Sequence, residues 1–402
     1  MAFDMEGSEY SEYQDLEWAV KLNRVSLKLM GLWPKAQQNS RDKLIRNLHV
    51  LVTFLVIVIG ILIPAVHSLI MIHSDLMLVI DNLQFVVPCM NCAIKIIIFW
   101  WNKEAVATII NIIAEDWQRS KNVQERNMMI RRAESARIIT TFGYCLMGLS
   151  YIFIVFLPAF GLSIRYLSNI TDPGRPMLIQ SYYMYDVTKT PQYEITYVVH
   201  SISAFCAFTC YVGIDNFLGL IVFHICGQLD ILRHRFICSD KFMDFHVVLK
   251  SCVMDHSRLL RTIAVVEDTY NIILLTIFLS FGVLFAFYGF VIINLLVKGN
   301  LLITRLLYLL SNIINILGHM CLHCAIGEIL MAQCDRIYYT VYNQKWYTLE
   351  PNEAKDLIPV IIKSRKPVYL TAGKIFPITM ATFCSLVKTS AGYMSVLLGM
   401  SI

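Results

Sequence analysis

Residues 47–72 read NLHVLVTFLVIVIGILIPAVHSLIMI and contain no Asp, Glu, Lys or Arg. The hydrocarbon core of a bilayer is about 30 Å thick, so a helix needs about 20 predominantly apolar residues to cross it. This stretch meets both requirements. It predicts a membrane-spanning helix near the start of the chain.

Comparable stretches recur along the rest of the sequence. Isolated charges interrupt some of them: Asp81 and Lys95 in the second, Asp215 in the fourth and Lys388 in the last. The stretches lack the period-two alternation typical of a membrane β-barrel. The predicted spans are residues 47–72, 76–101, 138–164, 195–225, 269–297, 306–327 and 375–402. We therefore predict an all-α membrane protein with seven transmembrane helices.

The composition of the 402-residue chain agrees with this prediction. Hydrophobic residues make up 57% and charged residues 16%, whereas soluble domains average about 45–50% apolar and about 25% charged residues. This balance excludes a soluble enzyme, and the net charge of +5 is too small to indicate a nucleic acid as partner. The sequence contains no nucleophile elbow, phosphate-binding glycine loop or paired-carboxylate motif. We predict neither enzyme activity nor a cofactor.

Lys and Arg are concentrated in the N-terminal segment and in the loops after spans two, four and six. Because cytoplasmic loops carry an excess of these residues, the N-terminus is predicted to be cytoplasmic and the C-terminus extracellular. The sequon Asn169-Ile170-Thr171 lies after span three, on the predicted outer side, which makes Asn169 a candidate glycosylation site. The predicted regions are 1–46 (cytoplasmic), 47–330 (spans one to six), 331–374 (cytoplasmic) and 375–402 (span seven).

Apolar residues recur at helical spacing within the N-terminal segment. This pattern fits an interfacial helix on the inner membrane surface, and equally a helix packed on cytoplasmic loops. The residues concerned are Trp18, Leu22, Val25, Leu29 and Leu32.

Ionisable residues inside a membrane are costly and therefore indicate functional sites. Asp81 and Asp215 are such candidates. Lys95 lies close enough to the cytoplasmic end of its span for its ammonium to reach the surface along its aliphatic stem. Lys388 lies in a stripe of small and polar residues that could form a helix contact or line water in a pore. The lysine favours water, and because one span per chain cannot enclose a pore, this interpretation requires an oligomer.

Aromatic and weakly polar residues cluster in the outer halves of spans two, three, four and six. An apolar cavity with a few polar groups is the usual site for a small ligand. For any single residue the packed interior is the better interpretation, and only the set as a whole favours a ligand site. The candidate ligand-binding residues are Asp81, Phe85, Tyr151, Ile154, His200, Ala204, Tyr308 and Asn312.

Two further motifs resemble a G-protein-coupled receptor signature and a zinc site, but neither fits its context. Asp335-Arg336-Ile337-Tyr338 resembles the Asp-Arg-Tyr signature of G-protein-coupled receptors, but it follows span six and the predicted topology is inverted relative to that family. His319 and His323 share a helix face, as zinc ligands can, yet they lie in an apolar span without a second cluster to complete a site. Their pattern favours helix packing, and we predict no metal site.

The C-terminal region resembles the hallmark region of the insect odorant receptors. The matching stretches are residues 346–367, LTAGKIFP at 370–377 and LVKTS at 386–390, with further matches at HICGQL (224–229) and GLWP (31–34). The inverted seven-helix topology is also that of this family.

The resemblance implies an odorant-gated, non-selective cation channel subunit in the plasma membrane of olfactory neurons. Such receptors form heterotetramers with a common co-receptor and bind a small volatile ligand within the bundle. By the family's pattern, Trp346 and Tyr347 belong to the subunit anchor. The pore and gate residues would be Thr389, Gly392, Val396, Gly399 and Met400.

The segment between residues 227 and 268 has no room for the co-receptor's long insertion, and residues 390–393 do not match the signature of the related gustatory receptors. We therefore predict a ligand-tuning subunit. A transporter and a metabotropic chemoreceptor are the alternatives, and the sequence alone leaves them open.

Overall fold

Helices form most of the chain in this computed structural model, which describes residues 2–34, 39–119, 122–162, 176–180, 183, 185–187, 189–238, 245–298, 303–344, 347 and 350–401. The helices are α1 (Ala2–Leu29), α2 (Ser40–Ile57), α3 (Ile63–Met71), α4 (Leu76–Trp101), α5 (Lys103–Gln118), α6 (Val123–Ala159), α7 (Gln192–Cys238), α8 (Phe245–Lys298), α9 (Ile303–Tyr342), α10 (Pro351–Ser364) and α11 (Met380–Ser401). A π-helical turn, Val58–Leu62, joins α2 to α3. Strands β1 (Thr371–Ala372) and β2 (Phe376–Pro377) form an antiparallel hairpin.

Within the described part of the chain, six helical stretches are long and apolar enough to cross a membrane. They are Ser40–Met71, Leu76–Trp101, Val123–Ala159, Gln192–Cys238, Phe245–Val297 and Ile303–Tyr342. These stretches coincide with the first six predicted spans. Helix α11 occupies most of the seventh, and its crossing of the membrane stays a prediction.

Local sequence explains why the first span widens before Pro64 and why the second span begins after Asp75. Pro64 has no N–H to donate to the carbonyl of Gly60, and the helix widens to the π-helical turn just before it. Gly60 also lies against α7, where a side chain would overlap Ser203. Asp75 caps α4, and its carboxylate accepts from the backbone N–H of Met77 at 2.9 Å.

Helices α6 to α9 are much longer than a bilayer requires, with 37, 47, 54 and 40 residues. They therefore extend beyond the apolar layer at one end of the bundle. We call this the Trp101 end, after the last residue of α4, and the opposite end the Met71 end, after the last residue of α3. Most of the ion pairs between helices lie towards the Trp101 end.

Helix α7 lies at the centre of the bundle and packs against α1, α4, α6, α8 and α9. Phe217, Ile221 and Cys226 on this helix are fully buried. A helix that is apolar on all sides is expected in such a position. The central helix thus carries residues that face several neighbours at once.

The N-terminal helix α1 packs on the protein with one face and leaves another exposed. Leu27 is fully buried, whereas Val25 and Leu29 are exposed. Arg137 of α6 donates to the carbonyl of Trp18 at 2.8 Å, and its guanidinium lies 4.4 Å from the Trp18 ring centroid. Trp18, Val25 and Leu29 of the predicted pattern thus lie on the exposed face, and what this face contacts stays a prediction.

The β-hairpin of the LTAGKIFP stretch docks on α8. Gly373 adopts a φ of 60°, a left-handed conformation that favours glycine, and its N–H donates to the carbonyl of Asn271 at 2.8 Å. Lys374 forms an ion pair with Asp268 at 2.8 Å. The hairpin thereby fixes the start of α11 against the middle of α8.

Candidate ligand cavity

A cavity of about 160 Å³ lies between α4, α6, α7, α8 and α9, in the half of the bundle towards the Met71 end. Its lining is mostly apolar and aromatic, with a few amide, hydroxyl and imidazole groups. An apolar, largely enclosed cavity with few polar groups is the usual form of a small-molecule site.

Six of the eight predicted ligand-binding residues line this cavity: Phe85, Tyr151, Ile154, Ala204, Tyr308 and Asn312. The other two lie one helical turn towards the Met71 end, outside the lining. Asp81 lies 3.8 Å from Arg305, and His200 is hydrogen-bonded to Tyr183. These partners account for the burial of both side chains.

Two residues of the wall, Tyr151 and Phe281, belong to stacked ring pairs. Tyr151 stacks on Phe208 with ring centroids 5.9 Å apart, and its hydroxyl donates to the carbonyl of Ser201 at 3.2 Å. On α8, Phe281 stacks on Phe285 at 5.8 Å. Ring pairs of this kind are favoured beyond the area they bury.

Helix α9 presents a row of polar side chains to the cavity. Asn312 donates from Nδ2 to the carbonyl of Tyr308 at 2.8 Å, and Asn315 donates from Nδ2 to Ser150 Oγ at 3.0 Å. His319 follows one turn later. Asn315 is not among the predicted ligand-binding residues, although its spacing from Asn312 and His319 places all three on one helix face.

The two histidines of α9 have separate roles. His319 lines the cavity, whereas His323 hydrogen-bonds to the carbonyl of His319 through Nδ1 at 2.7 Å and lies 3.7 Å from Asp215 Oδ1 through Nε2. The described residues contain no group of three or more His, Cys, Asp or Glu side chains arranged to hold a metal ion.

The prediction that Lys95 reaches the membrane surface is wrong. Its side chain is fully buried, and Nζ lies 2.8 Å from both carboxylate oxygens of Asp215. The ammonium also lies 3.3 Å from the ring centroid of Tyr211. The prediction failed because α4 packs between α7 and α8, so that the lysine meets a carboxylate before it meets the surface.

The Lys95–Asp215 pair lies directly beneath the cavity. Tyr211 lines the cavity and covers the ammonium, and Cys92, one turn before Lys95, lines it as well. Neither charged residue belongs to the lining. The cavity therefore has a floor of paired charges and an apolar wall.

Further ion pairs connect the helices towards the Trp101 end. Arg132 of α6 pairs with Asp230 of α7 at 2.7 Å, and Arg235 of α7 pairs with Glu125 of α6 at 2.7 Å and with Asp255 of α8 at 3.0 Å. We call these pairs, together with Lys95–Asp215 and the Asp116 cluster described next, the ion-paired layer.

Asp116 of α5 joins three helices in this layer. One carboxylate oxygen lies 3.0 Å from His224 Nε2 of α7, and the other accepts from Arg258 of α8 at 2.5 Å. Burial acts to raise the pKa of Asp116, but the hydrogen bonds and positive charge of His224 and Arg258 outweigh it and lower this pKa below its ordinary value. The carboxylate thus stays ionised where it is buried.

Helix α11 divides into a packed face and an exposed face. Phe383, Leu386, Ser390 and Met394 turn towards the protein. The predicted polar stripe is exposed: Ser385, Lys388, Thr389, Gly392, Ser395, Val396 and Gly399. Met400 belongs to the same helix.

Two contacts link α11 to the cavity wall through α8. Phe281 lines the cavity and lies 6.3 Å from the ring of Phe383. Gly289, the residue after Tyr288 of the lining, lets α8 and α11 approach so closely that a Cβ there would overlap Met394 Sδ. The cavity and the exposed stripe are therefore separated by a single helix.

The remaining predicted site residues lie elsewhere. Tyr347 is exposed on the segment between α9 and α10. Trp346 and Asn169 lie outside the described residues.

The bundle and its cavity together define a helical membrane protein with an internal small-molecule cavity. The family model described as "7tm Odorant receptor" matches residues 75–391. The chain belongs to this odorant receptor family, which is a family of receptors and not of enzymes.

Individual relatives agree with this membership. The chain is 21% identical to odorant receptor 85c of Drosophila melanogaster over 80% of its own length and 82% of the relative's, and 22% identical to odorant receptor Or2 of Anopheles gambiae over 81% and 85%. It is 24% identical to odorant receptor 13a of Drosophila melanogaster over 63% of its own length. That match spans 62% of the length of receptor 13a, and a match to odorant receptor 10 of Aedes albopictus spans 57%.

The fold is similar to that of the insect olfactory receptor OR5 from Machilis hrabei in complex with eugenol. The TM-score is 0.84 at 15% sequence identity, and the superposition covers 97% of this chain and 99% of the other. The structure of the same receptor described without eugenol gives a TM-score of 0.81.

Proposed function

We propose that this chain is a ligand-tuning subunit of an odorant-gated, non-selective cation channel that assembles with the common co-receptor as a heterotetramer. Family membership supports a receptor for odorants. The observation that carries the channel proposal is the cavity, which α8 separates from α11, together with the exposed polar stripe on the far face of α11. The setting would be the plasma membrane of an olfactory sensory neuron.

In this proposal the Met71 end faces outwards and the Trp101 end faces the cytoplasm. The distribution of Lys and Arg supports this orientation, and α11 would be the seventh span with an extracellular C-terminus. The sequon at Asn169 would then lie outside. At the cytoplasmic end, Trp346 and Tyr347 would contribute to the anchor between subunits.

The cavity is the proposed odorant site. Its apolar wall, including Phe85, Tyr151 and Tyr308, suits a small volatile molecule. Eugenol in the complex of the Machilis receptor is such a molecule.

Helix α11 is the proposed pore-lining element. Thr389, Gly392 and Gly399 on its exposed stripe would face the axis of the tetramer, and Val396 and Met400, four residues apart, would form the apolar gate. A hydrophobic constriction closes a pore by excluding water. A gate of this kind opens when neighbouring helices draw it away from the axis.

Ligand binding would shift the population from closed to open pores. A ligand changes this equilibrium only by binding the open state more tightly, and a shift from 1:99 to 99:1 needs about 5.5 kcal/mol of differential affinity. Phe281 offers the route, because it touches both the cavity and Phe383 of the pore helix. Movement of its ring on ligand entry would reach α11 directly.

The test is to record whole-cell current during application of an odorant panel, with the chain expressed alone and then with the co-receptor. We expect odorant-evoked cation current in the co-expressing cells only, and unitary openings in excised patches under blockade of G-protein signalling. Current from the chain alone would contradict the tuning role. Saturable flux without unitary openings would support a transporter, and loss of the response under G-protein blockade would support a metabotropic receptor.

A further inference from the structure

Three polar atoms of the cavity lining have no hydrogen-bond partner among the described residues: Gln84 Nε2, Asn315 Oδ1 and His319 Nε2. The three residues are only 2%, 6% and 7% exposed. Buried polar atoms in proteins are ordinarily hydrogen-bonded, and an unpaired one calls for an explanation. Their common location in one cavity points to a ligand that supplies the partners.

The arrangement of Asn315 and His319 is set by α9 and its neighbours. The two residues lie four positions apart and therefore on the same helix face. Asn315 donates from Nδ2 to Ser150 Oγ at 3.0 Å and to Met147 Sδ at 2.8 Å, so contacts with α6 orient its amide and leave Oδ1 unbonded. Gln84 lies in the α4 part of the same lining, one turn before Pro88.

We propose that this cavity selects a neutral hydroxyl compound, an alcohol or a phenol, whose hydroxyl binds at Gln84 and Asn315, with His319 one turn further along α9. This inference rests on the proposed function and specifies its ligand. The Gln84 amide nitrogen only donates, and the Asn315 amide oxygen only accepts. A hydroxyl both accepts and donates, so it satisfies both residues. The imidazole Nε2 of His319 can take either role according to its tautomer.

Other odorant classes match this set of atoms less well. An ether, ester or ketone offers acceptors only and leaves Asn315 Oδ1 unbonded, and a hydrocarbon leaves all three atoms unbonded. A charged ligand is disfavoured because the remaining lining is mostly apolar. Lys95 and Asp215 neutralise each other below the floor and do not reach into the lining.

The cavity also limits the size of the ligand. An apolar cavity of about 150 Å³ accommodates benzene, and the volume here is about 160 Å³. A single substituted ring or a short aliphatic chain fits this space. Monocyclic phenols, benzyl-type alcohols and short-chain alcohols are therefore the expected classes.

The experiment compares compounds of matched shape on the chain co-expressed with the co-receptor. Benzyl alcohol, anisole and ethylbenzene form one series, and 1-hexanol, 1-methoxypentane and heptane form another. We expect the alcohol of at least one series to evoke current with an EC50 roughly tenfold lower than its ether and hydrocarbon, the effect of about one net hydrogen bond.

Substitution at Asn315 assigns the preference to this subsite. In Asn315→Leu the amide is lost and the side chain stays similar in size, so we expect the EC50 ratio of the ether or hydrocarbon to the alcohol to fall from about ten to about one, whatever the absolute potency of each compound. Asn294→Leu is the matched control, because Asn294 is a half-buried asparagine of α8 outside the lining. In this control the advantage of the alcohol should persist.

The outcomes separate the inference from the proposed function. Equal potency of alcohol, ether and hydrocarbon on the unmodified chain would overturn the inference and leave the receptor function intact, even if the variant fails to reach the surface. An alcohol preference that survives Asn315→Leu would overturn the assignment to this subsite. No current with these compounds, in cells where the odorant panel does evoke current, would overturn the inference alone, and no current with the compounds or the panel, with both subunits present at the cell surface, would overturn the proposed function as well.

Discussion

The cavity and the ion-paired layer are built largely from the same helices, but the layer pairs its carboxylates with cations, whereas the cavity leaves neutral polar atoms unbonded in the described part of the chain. Towards the Trp101 end, Asp116, Asp215 and Asp230 each meet a cationic side chain of another helix within 3.0 Å. Around the cavity, Gln84, Asn315 and His319 keep atoms without a protein partner among the described residues.

This difference separates the rigid part of the bundle from the part that can respond to a ligand. A charge pair that bridges two buried helices resists their separation, because each charge would be left unpaired at a cost of several kcal/mol. A polar atom without a partner gains energy when a ligand supplies one. We therefore expect the ion-paired layer to hold the helices together, and the helix segments around the cavity to move when a ligand binds.

The largest expected effect comes from breaking the buried pair beneath the cavity. Asp215→Asn leaves the Lys95 ammonium buried without a counter-charge, and Lys95→Met does the reverse. Each should lower the free energy of unfolding by about 3–5 kcal/mol. The measurement is the thermal unfolding of the detergent-solubilised complex, followed by fluorescence-detected size exclusion.

The double substitution Lys95→Met with Asp215→Leu is the control for this prediction. It removes both charges at once, and apolar replacement of a buried pair is often neutral or stabilising. The double variant should thus be more stable than either single variant. Additive losses would contradict the role of the pair as a coupled unit.

The next effect concerns Asp116 and the pH. Its pKa is lower in the folded protein than in the unfolded chain, where it is about 3.9. A carboxyl of this kind contributes stability above its unfolded pKa and loses it as the pH falls through the folded pKa. Stability should therefore decrease below about pH 4, and Asp116→Asn should make this decrease shallower.

At neutral pH the same substitution should cost about 3 kcal/mol, since Arg258 and His224 lose their common partner. The measurement is the melting temperature of both proteins between pH 3 and pH 7. Glu115→Gln, the preceding acidic residue, is the control. Parallel curves for the wild type and Asp116→Asn would show that this carboxyl does not carry the acid sensitivity.

A smaller effect tests the proposed gate on the responsive side of the bundle. Val396→Ser makes the constriction more polar and reduces its exclusion of water. A change of about 1.4 kcal/mol in the closed–open equilibrium would raise the resting open fraction about tenfold. The measurement is the resting cation current of the chain co-expressed with the co-receptor. Val297→Ser in α8 is the control. An unchanged resting current in Val396→Ser would show that Val396 is not part of the gate.

Much of this architecture was predictable from the sequence. A long apolar stretch inside a bilayer must be helical, because no water is present there to bond its backbone groups. The first six spans are therefore predictable from the sequence with approximate limits. Phe85 and Tyr308 were placed near a cavity because aromatic residues fell in the same layer of several helices. The β-hairpin and the N-terminal packing of Leu27 needed contacts that periodicity does not reveal.

The Lys95 prediction failed because the sequence shows how deep a residue lies in a span but not how the helix is rotated. For the same reason Asp81 and His200 lie outside the lining, and their part in ligand binding stays a prediction. One turn along α4 separates Asp81 from Phe85, and one turn along α7 separates His200 from Ala204. Rotation is set by packing against neighbouring helices, and the sequence gives that information only where polar residues share a face, as Asn312, Asn315 and His319 do.

The smallest effect is the coupling between the cavity wall and α11, carried by Phe281 and Phe383, whose ring centroids lie 6.3 Å apart. Aromatic pairs contribute about 0.5–1.5 kcal/mol beyond the area they bury. In a double-mutant cycle with Phe281→Leu and Phe383→Leu, we expect a coupling of about 1 kcal/mol in the EC50 for an activating odorant. The neighbouring pair Phe285→Leu and Phe383→Leu is the control. If both cycles were additive, the ring contact would not transmit ligand binding to α11. The responsive part of the protein would then end within α8 and would not include the contact between α8 and α11.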